Sequence, residues 1–331
     1  MKQPLTKKWT EPFARLFSRA QINIIYACPP LCGIVPKDTY NTYQDRRLYI
    51  KRSLSVAAQV PRAVARHWRD RREKRVVLPR AAIIVTTRCT LKCDKCLSHV
   101  PDLGSQRDAP THELLEDLRA LLSCVGYIYD VCISGGEPFM HPGLDLIVRA
   151  CADSGKIGNI KVITNGTIVP GETLLAALRD AKARVNVSKY ATVPQPNLEN
   201  ILAVLKDNEI CHYVISADND FWVDTESFGP LKEGSPARRY SDCFCRLYYV
   251  LLSGKQYPCC QSAFLAYDGR IPEHEGDFIN IRTVSPAAYR GELSKLNEKS
   301  AVSACAYCLG SNYKSPTVPT AIQREAPCQS I

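Results

Sequence analysis

The sequence predicts an α/β protein: five strand–helix steps at barrel-like spacing that form a parallel sheet, with a basic helical extension before them and a cysteine-rich domain after them. Short apolar runs alternate with amphipathic segments from residue 79 to residue 217. Basic side chains concentrate before this region, and grouped cysteines lie within and after it. We therefore expect domains over 1–78, 79–217 and 218–314, followed by a mobile tail over 315–331.

The composition places the chain among globular proteins that bind metals through thiols. The 331 residues are 45% hydrophobic and 23% charged, which is enough to bury a substantial core. Sixteen cysteines in a chain of this length, many in tight groups, indicate ligands in a reducing cytoplasm and not disulfides. No secretory signal and no apolar run of about 20 residues is present, so we expect no transmembrane segment.

The positive charge is concentrated in one segment. The net charge is +10, and residues 46–80 contain twelve Lys or Arg against two acidic residues. Residues 50–75 predict a helix that restarts at Pro61 and carries Val60, Val64 and Trp68 along one face. The favoured interpretation is a solvated basic face, with the apolar stripe packed on the barrel. The alternative is contact with phosphates or with an anionic membrane surface, which would make the protein peripheral to the membrane.

Strands and helices alternate between residues 81 and 216. The strands are predicted over 81–85, 130–134, 160–164, 184–188 and 211–216. The helices are predicted over 111–122, 144–154, 174–181 and 198–207. After residue 217 the alternation fails, and residues 245–260 predict a hairpin. Because parallel strands end at a common edge, we expect the ligand site among the segments that follow them.

The first such segment contains three cysteines. Cys89, Cys93 and Cys96 follow the first strand with the spacing C-x-x-x-C-x-x-C. Three thiolates can bind three irons of a [4Fe–4S] cluster and leave the fourth iron open to another ligand. A zinc site completed by a distant ligand is the alternative.

The next three strands also end in candidate binding residues. Gly135-Gly136-Glu137-Pro138 follows the second strand, Asn165 follows the third, and Ser188 ends the fourth. Glycines let a backbone approach a ligand, and a carboxylate accepts hydrogen bonds from an ammonium group. For Asn165 and Ser188, turn formation and capping are equally good interpretations.

The cysteine spacing after a first strand, with Gly-Gly-Glu-Pro after the next, resembles the radical S-adenosylmethionine (SAM) superfamily. The resemblance implies a partial (β/α)6-type barrel in which the open iron binds SAM and residues 135–138, Asn165 and Ser188 contact it. It also implies a reductant such as flavodoxin or ferredoxin, and reductive cleavage of SAM to a 5′-deoxyadenosyl radical. Relatives often have an aromatic residue at the position of Lys95, so adenine packing must come from elsewhere.

A second cysteine group lies in the C-terminal third. Its members are Cys243, Cys245, Cys259, Cys260, Cys305 and Cys308. The spacing of Cys243, Gly254 and Cys259 resembles the opening half of the SPASM motif, and the shortage of later cysteines favours the shortened twitch version. The resemblance implies an auxiliary [4Fe–4S] cluster held by Cys243 (or Cys245), Cys259, Cys305 and Cys308. A structural zinc site is the alternative.

The residues do not determine the substrate or any catalytic side chain. Hydrogen abstraction from a sugar, glycan or natural product is favoured slightly, because the basic helix offers phosphate or membrane contacts. A peptide-modifying enzyme is the main alternative, although residues 1–79 lack the strand–helix pattern of a leader-peptide module. A tRNA-modifying enzyme and a non-catalytic zinc protein are further alternatives.

Overall fold

The structure, a computed structural model, describes residues 60–215, 221–225, 229–231, 234–312 and 315–324. Its first helix, α1, covers 60–72, with Pro61 in the first turn. The earlier part of the predicted basic helix lies outside the described residues.

The remaining elements alternate as the sequence predicts. The strands are β1 (Val77–Leu78), β2 (Ala81–Thr86), β3 (Tyr127–Gly135), β4 (Ile157–Thr164), β5 (Arg184–Ser188), β6 (His212–Ile215), β7 (Phe221–Val223), β8 (Tyr249–Leu252), β9 (Lys255–Tyr257), β10 (Ile279–Asn280) and β11 (Thr317–Pro319). The helices are α2 (Thr111–Cys124), α3 (Leu144–Asp153), α4 (Glu172–Asp180), α5 (Leu198–Asp207), α6 (Pro236–Ser241), α7 (Cys260–Tyr267) and α8 (Pro286–Glu298).

A nine-stranded sheet forms the centre of the molecule. Its order is β10-β9-β8-β2-β3-β4-β5-β6, and β1 pairs with β3. Neighbours from β8 through β2 to β6 are parallel, whereas β9 and β10 run antiparallel. From β2 to β6 the spatial order is the chain order, which right-handed strand–helix units produce. The predicted α/β class and partial barrel are confirmed.

The two faces of the sheet are buried by different partners. Alternate strand residues such as Ile83 and Val131 point outward and pack with helix residues such as Leu118 and Ile147. The intervening residues on the same strands form a second cluster with α7 on the inner face. Burial on both faces explains why the strand sequences are continuously apolar.

The hairpin predicted after residue 245 forms as β8 and β9, and it belongs to the barrel sheet. β8 pairs in parallel with β2, with Tyr249 opposite Ala81 and Leu251 opposite Ile83. Both Tyr249 and Leu251 belong to the outer core. The sheet therefore continues across the domain boundary expected near residue 217.

The last described segment differs from the mobile tail expected over 315–331. β11 pairs with β7, and Gln323 forms an isolated antiparallel bridge with Cys93. The amide of Asp94 donates to the Ile322 carbonyl at 2.6 Å, and the Arg324 amide donates to the Lys92 carbonyl at 2.9 Å. Backbone pairing thus holds residues 315–324 against the cysteine loop.

Helix α1 packs on the barrel through a different face from the one expected. Val64 is 38% exposed and Trp68 64% exposed, whereas Asp70 is buried. The Tyr129 hydroxyl donates to Asp70 at 2.6 Å, so the buried face is anchored by a polar contact. The favoured interpretation, an apolar stripe packed on the barrel, is therefore wrong for the described part. Among the residues described, no helix has the length and apolar content to cross a bilayer.

Candidate active site and metal centres

The cysteine loop leaves β2 and is fixed against the end of β3. The amide of Gly136 donates to the Thr86 carbonyl at 2.8 Å, and the amide of Glu137 donates to the Arg88 carbonyl at 2.8 Å. The carboxyl ends of two adjacent parallel strands thereby support the loop, which is the edge where parallel sheets bind ligands.

The two glycines are needed for this contact between loops. A Cβ on Gly135 would lie 2.1 Å from the Thr86 carbonyl oxygen, and one on Gly136 would lie 2.1 Å from that of Arg88. We expected the glycines to let the backbone approach a ligand. The structure shows that the approaching group is the cysteine loop itself.

Glu137 joins the ends of β3 and β4 from a fully buried position. Its Oε1 accepts hydrogen bonds from the Phe139 amide at 3.0 Å and the Thr164 hydroxyl at 2.8 Å. Its Oε2 accepts from the Asn165 amide at 2.7 Å. Burial raises the pKa of Glu137 to about 7, although these three donors lower it. Both carboxylate oxygens are thus occupied by the protein's own donors.

Hydrogen-bond donors reach two of the three loop sulfurs. Cys89 Sγ accepts from the Leu91 amide at 3.4 Å and from Asn165 Nδ2 at 3.5 Å. Cys93 Sγ accepts from Gln323 Nε2 at 3.2 Å. Such donors are typical of iron–sulfur ligands, where they stabilise the thiolate. Asn165, predicted from the sequence, thus lies at the loop; Gln323 could not be found because it is 230 residues from Cys93.

The three loop thiols are close enough for their charges to interact. Burial, with smaller contributions from Glu137, Cys96 and Cys93, raises the pKa of Cys89 to about 12. Burial likewise raises the pKa of Cys93 to about 11. These raised pKa values favour the protonated thiols. A bound cation would reverse that preference, because metal ligation deprotonates a thiol.

An aromatic pair lies beside the same thiols. Ser188 donates a hydrogen bond to the Tyr190 hydroxyl, and burial raises the pKa of Tyr190, with smaller contributions from all three loop cysteines. The Tyr190 and Trp222 rings meet edge to face at 6.1 Å between centroids. Lys95, which replaces the aromatic residue of many relatives, instead lies 3.5 Å from Asp224. The only sequence signal for Tyr190 was its place just after a strand end.

The C-terminal cysteines converge on one pocket. Its empty volume is about 410 Å³, counting the open mouth, and five cysteines line it: Cys243, Cys245, Cys259, Cys305 and Cys308. Three of the sulfurs accept backbone hydrogen bonds, Cys243 from Cys245 at 3.4 Å, Cys259 from Ser262 at 3.4 Å and Cys308 from Gly310 at 3.3 Å. The pocket thus gathers thiols from segments far apart in the sequence.

The contacts distinguish Cys243 from Cys245. Cys243 influences the pKa of Cys259, Cys305 and Cys308, so it faces all three. Cys245 donates a hydrogen bond to Cys243, which lowers the pKa of Cys243 below its ordinary value. Cys243, Cys259, Cys305 and Cys308 thus lie close together, and Cys245 lines the same pocket.

Among the residues that the structure describes, no three His, Cys, Asp or Glu side chains are grouped so that they could hold one metal ion. Zinc would require such a group at about 2.0–2.3 Å from one centre. In a [4Fe–4S] cluster each thiolate binds a different iron, so the sulfurs stand further apart.

Buried polar side chains connect the two cysteine groups. His99 Nε2 lies 2.7 Å from Gln261 Oε1, and Gln261 Nε2 donates to the Thr225 hydroxyl at 2.8 Å. His99 follows the cysteine loop, whereas Gln261 and Thr225 line the C-terminal pocket. Cys260 also lies between the groups, since both Cys132 and Cys96 raise its pKa.

The inner face of the sheet carries further polar groups. Lys161 on β4 forms an ion pair with Asp130 on β3 at 2.6 Å, with exposed side-chain fractions of 3% and 4%. On β5, Asn186 Oδ1 is buried and has no hydrogen-bond partner among the residues that the structure describes. An unsatisfied acceptor of this kind can receive a donor from a bound molecule.

Comparisons with known proteins identify the barrel. Residues 83–211 match the model of the radical SAM superfamily. Two proteins named GTP 3′,8-cyclase are similar: that of Pelotomaculum thermopropionicum is 33% identical over 111 residues, 32% of this chain and 32% of its own length. That of Aquifex aeolicus is 26% identical over 138 residues, 41% of this chain and 42% of its own length. The chain thus spans well under half the length of these relatives.

A solved structure, BtrN in complex with AdoMet and 2-DOIA, superposes with a TM-score of 0.42 and 17% identity, covering 70% of this chain and 92% of BtrN. A likeness at this level adds nothing to the family match, which rests on the cysteine loop and the strands around it. The matched segment contains Cys89, Cys93 and Cys96 and runs from β2 to the residue before β6. The chain thus contains a radical SAM domain over residues 83–211.

Proposed function

We propose that Cys89, Cys93 and Cys96 hold a [4Fe–4S] cluster that binds SAM at its open iron. The observation that carries the proposal is the placement of three interacting thiols at the strand edge, with the donors Asn165 and Gln323 directed at two of the sulfurs. When bound, this cofactor pair supplies the 5′-deoxyadenosyl radical that abstracts hydrogen from a substrate C–H bond. The chain holds the thiolates, positions SAM and keeps water from the reacting carbon.

The residues proposed to contact SAM surround the same loop. They are Gly135, Gly136, Glu137, Pro138, Asn165 and Ser188. Because both oxygens of the Glu137 carboxylate already accept hydrogen bonds from the protein, the backbone of this segment is proposed as the partner of the SAM ammonium. Tyr190 and Trp222 are proposed to supply the adenine packing that Lys95 cannot.

We propose a second [4Fe–4S] cluster held by Cys243, Cys259, Cys305 and Cys308. Four thiolates would leave no open iron, so the cluster would transfer electrons and would not bind substrate. The amide hydrogen bonds to Cys243, Cys259 and Cys308 support this assignment. An external electron donor such as flavodoxin or ferredoxin is proposed to reduce the enzyme.

A polar small molecule, such as a sugar, glycan or natural product, is the proposed substrate. The Asp130–Lys161 pair and the free acceptor of Asn186 make the inner face of the sheet suitable for a molecule rich in hydroxyl groups. A purine nucleotide is the second candidate, since the similar proteins are named GTP 3′,8-cyclase.

Anaerobic reconstitution tests both clusters. We expect about eight irons per wild-type chain, and about four in either the Cys89/Cys93/Cys96→Ala or the Cys243/Cys259/Cys305/Cys308→Ala variant. Only the first variant should lose 5′-deoxyadenosine formation completely. Cys211→Ala, at an exposed cysteine, is the matched control. Wild-type protein that contains zinc but no iron would overturn the proposal. A wild type with about four irons, all of which are lost in the Cys89/Cys93/Cys96→Ala variant, would overturn the second cluster.

Isotope transfer identifies the substrate class. Perdeuterated sugars, GTP and peptides are incubated with the reconstituted enzyme and SAM, and deuterium in 5′-deoxyadenosine is measured. Transfer from a sugar or nucleotide sugar supports the first candidate. Transfer from GTP supports the second, and transfer from a peptide alone contradicts both.

A further inference from the structure

Helix α1 presents an apolar stripe to solvent. Pro61, Val64, Ala65 and Trp68 recur at helical spacing, and all four are exposed. Trp68 retains 64% of its accessible surface, which is unusual because tryptophan is mostly buried in folded proteins. The opposite side of the helix is the one that packs on the barrel, through Ala63 and Asp70.

Basic side chains surround this stripe. Seven lysines and arginines between residues 60 and 75 are exposed: Arg62, Arg66, Arg69, Arg71, Arg72, Lys74 and Arg75. Only Asp70 and Glu73 oppose them, and Asp70 is buried against Tyr129. Because cations flank the apolar stripe, this face of the helix has an apolar centre and a cationic border.

A cationic cavity opens beside the same helix. Its empty volume is about 860 Å³, counting its open mouth, and Asp70 lines it beside Arg66, Arg69, Arg75, Lys156 and Tyr127. Arg75 pairs with Glu73 at 2.6 Å and Lys156 Nζ donates to the Leu122 and Val125 carbonyls, so Arg66 and Arg69 are the cations best placed to meet a phosphate. The Arg66 guanidinium lies 5.1 Å from the centroid of the Tyr127 ring, which holds one cation in place at the cavity wall. Arginines arranged in this way suit the oxygens of a phosphate group.

We infer that this face, comprising the stripe and the cavity, docks on an anionic phospholipid surface. Trp68 and Val64 enter the interfacial region, the exposed arginines pair with lipid phosphates, and the cavity accepts a headgroup. A helix with Trp on one side and arginines beside it is the pattern of an interfacial helix. A nucleic acid fits less well, because the stripe offers one aromatic ring, Trp68, whereas proteins that bind single strands stack successive bases on several aromatic side chains.

Vesicle flotation with the full chain tests the inference. Vesicles of phosphatidylcholine with about one third phosphatidylglycerol should bind the protein, and pure phosphatidylcholine vesicles should not. Arg62/Arg69/Arg72→Gln should weaken binding roughly a hundredfold, since each basic residue near an anionic surface contributes roughly fivefold. The control Lys206/Arg238/Lys295→Gln, which removes three exposed charges elsewhere, should bind as the wild type does.

Quenching of tryptophan fluorescence by brominated lipids tests the insertion of Trp68. Quenching should occur in the wild type and disappear in Trp68→Phe. Unchanged quenching in that variant, or equal binding to neutral vesicles, would overturn the inference.

Soluble competitors separate lipid from other sources of phosphate. If inorganic phosphate or tRNA releases the protein from vesicles under conditions where sodium chloride of the same ionic strength does not, and Trp68→Ala binds vesicles normally, the cavity recognises phosphate or RNA and the inference fails. Because the docking face is distinct from the cysteine loop, its failure would leave the proposed iron–sulfur function untouched.

Discussion

Gly136 determines whether the cysteine loop can pack against the end of β3. A methyl group at this position would lie 2.1 Å from the Arg88 carbonyl oxygen, which belongs to the backbone of the loop. We therefore predict that Gly136→Ala destabilises the protein by about 1–3 kcal/mol and displaces the loop. Iron bound by the loop should fall, as measured by iron content after reconstitution together with urea unfolding.

Gly104→Ala is the matched control, because no atom lies within 4 Å of the methyl group it would add. Its iron content should equal that of the wild type. Full iron loading in Gly136→Ala would show that the loop tolerates the displacement, contrary to this prediction.

The side chain of Gln323 contacts the same loop through two hydrogen bonds. Its amide donates to Cys93 Sγ at 3.2 Å, and its Oε1 accepts from the Lys92 amide at 2.8 Å. Hydrogen bonds to cluster sulfurs raise the reduction potential, because they stabilise the additional electron. Gln323→Ala should therefore lower the potential of the loop cluster without removing iron, as measured by an EPR-monitored redox titration.

The control for this variant is Gln106→Ala, since the Gln106 amide donates to the Val100 carbonyl at 2.8 Å and not to a thiol. An equal shift in both variants would mean that the change in potential reflects general loosening of the protein.

At the scale of the elements, β3 and β4 are joined by a buried charge pair. Asp130 and Lys161 lie 2.6 Å apart with almost no exposed side-chain surface. Lys161→Met should lower the free energy of unfolding by about 3–5 kcal/mol, because it leaves the Asp130 carboxylate buried without its counter-ion. The double variant Asp130→Leu/Lys161→Met should recover most of that loss, as measured by urea denaturation.

Arg149→Met provides the exposed comparison. Arg149 pairs with Asp180 at 3.1 Å, but the two side chains retain 39% and 52% of their surface. Its removal should cost less than about 1 kcal/mol. A Lys161→Met variant as stable as this control would show that Asp130 becomes protonated or hydrated at little cost.

The sequence was most informative where local pattern determines structure. β5 and α5 begin and end at the predicted residues, and most other strands and helices of the barrel differ by a few residues at each end. Alternating apolar runs and turn residues are local signals, so they can be found without knowledge of contacts. The cysteine loop and Asn165 were located for the same reason.

The orientation of α1 shows the limit of such patterns. Val60, Val64 and Trp68 predict an apolar face, but hydrophobic spacing does not reveal what that face contacts. The polar anchor between Asp70 and Tyr129 reverses the expected orientation, and the two residues are 59 positions apart in the sequence. A long-range hydrogen bond of this kind leaves no periodic signal.

At the scale of the whole molecule, the C-terminal segment returns to the first cysteine loop. β11 pairs with β7, and residues 322–324 pair with the loop backbone. Arg324 also lies 3.4 Å from Asp94 and donates to Asp102. The sequence suggested a mobile tail because proline and serine disfavour regular structure. Composition does not reveal backbone pairing between segments that are far apart in the sequence.

The pairing of the C-terminal segment with the cysteine loop predicts that residues 315–324 are required for the loop cluster. A chain that ends at residue 314 loses β11, Gln323 and Arg324, so it should bind about four irons where the full chain binds about eight. The remaining iron should be retained by the C-terminal pocket, whose cysteines all precede the truncation. A chain that ends at residue 324 is the matched control and should bind the full amount. If the chain that ends at residue 314 also binds about eight irons and cleaves SAM at the normal rate, the loop is rigid without residues 315–324. If that chain loses all of its iron, residues 315–324 support the entire fold.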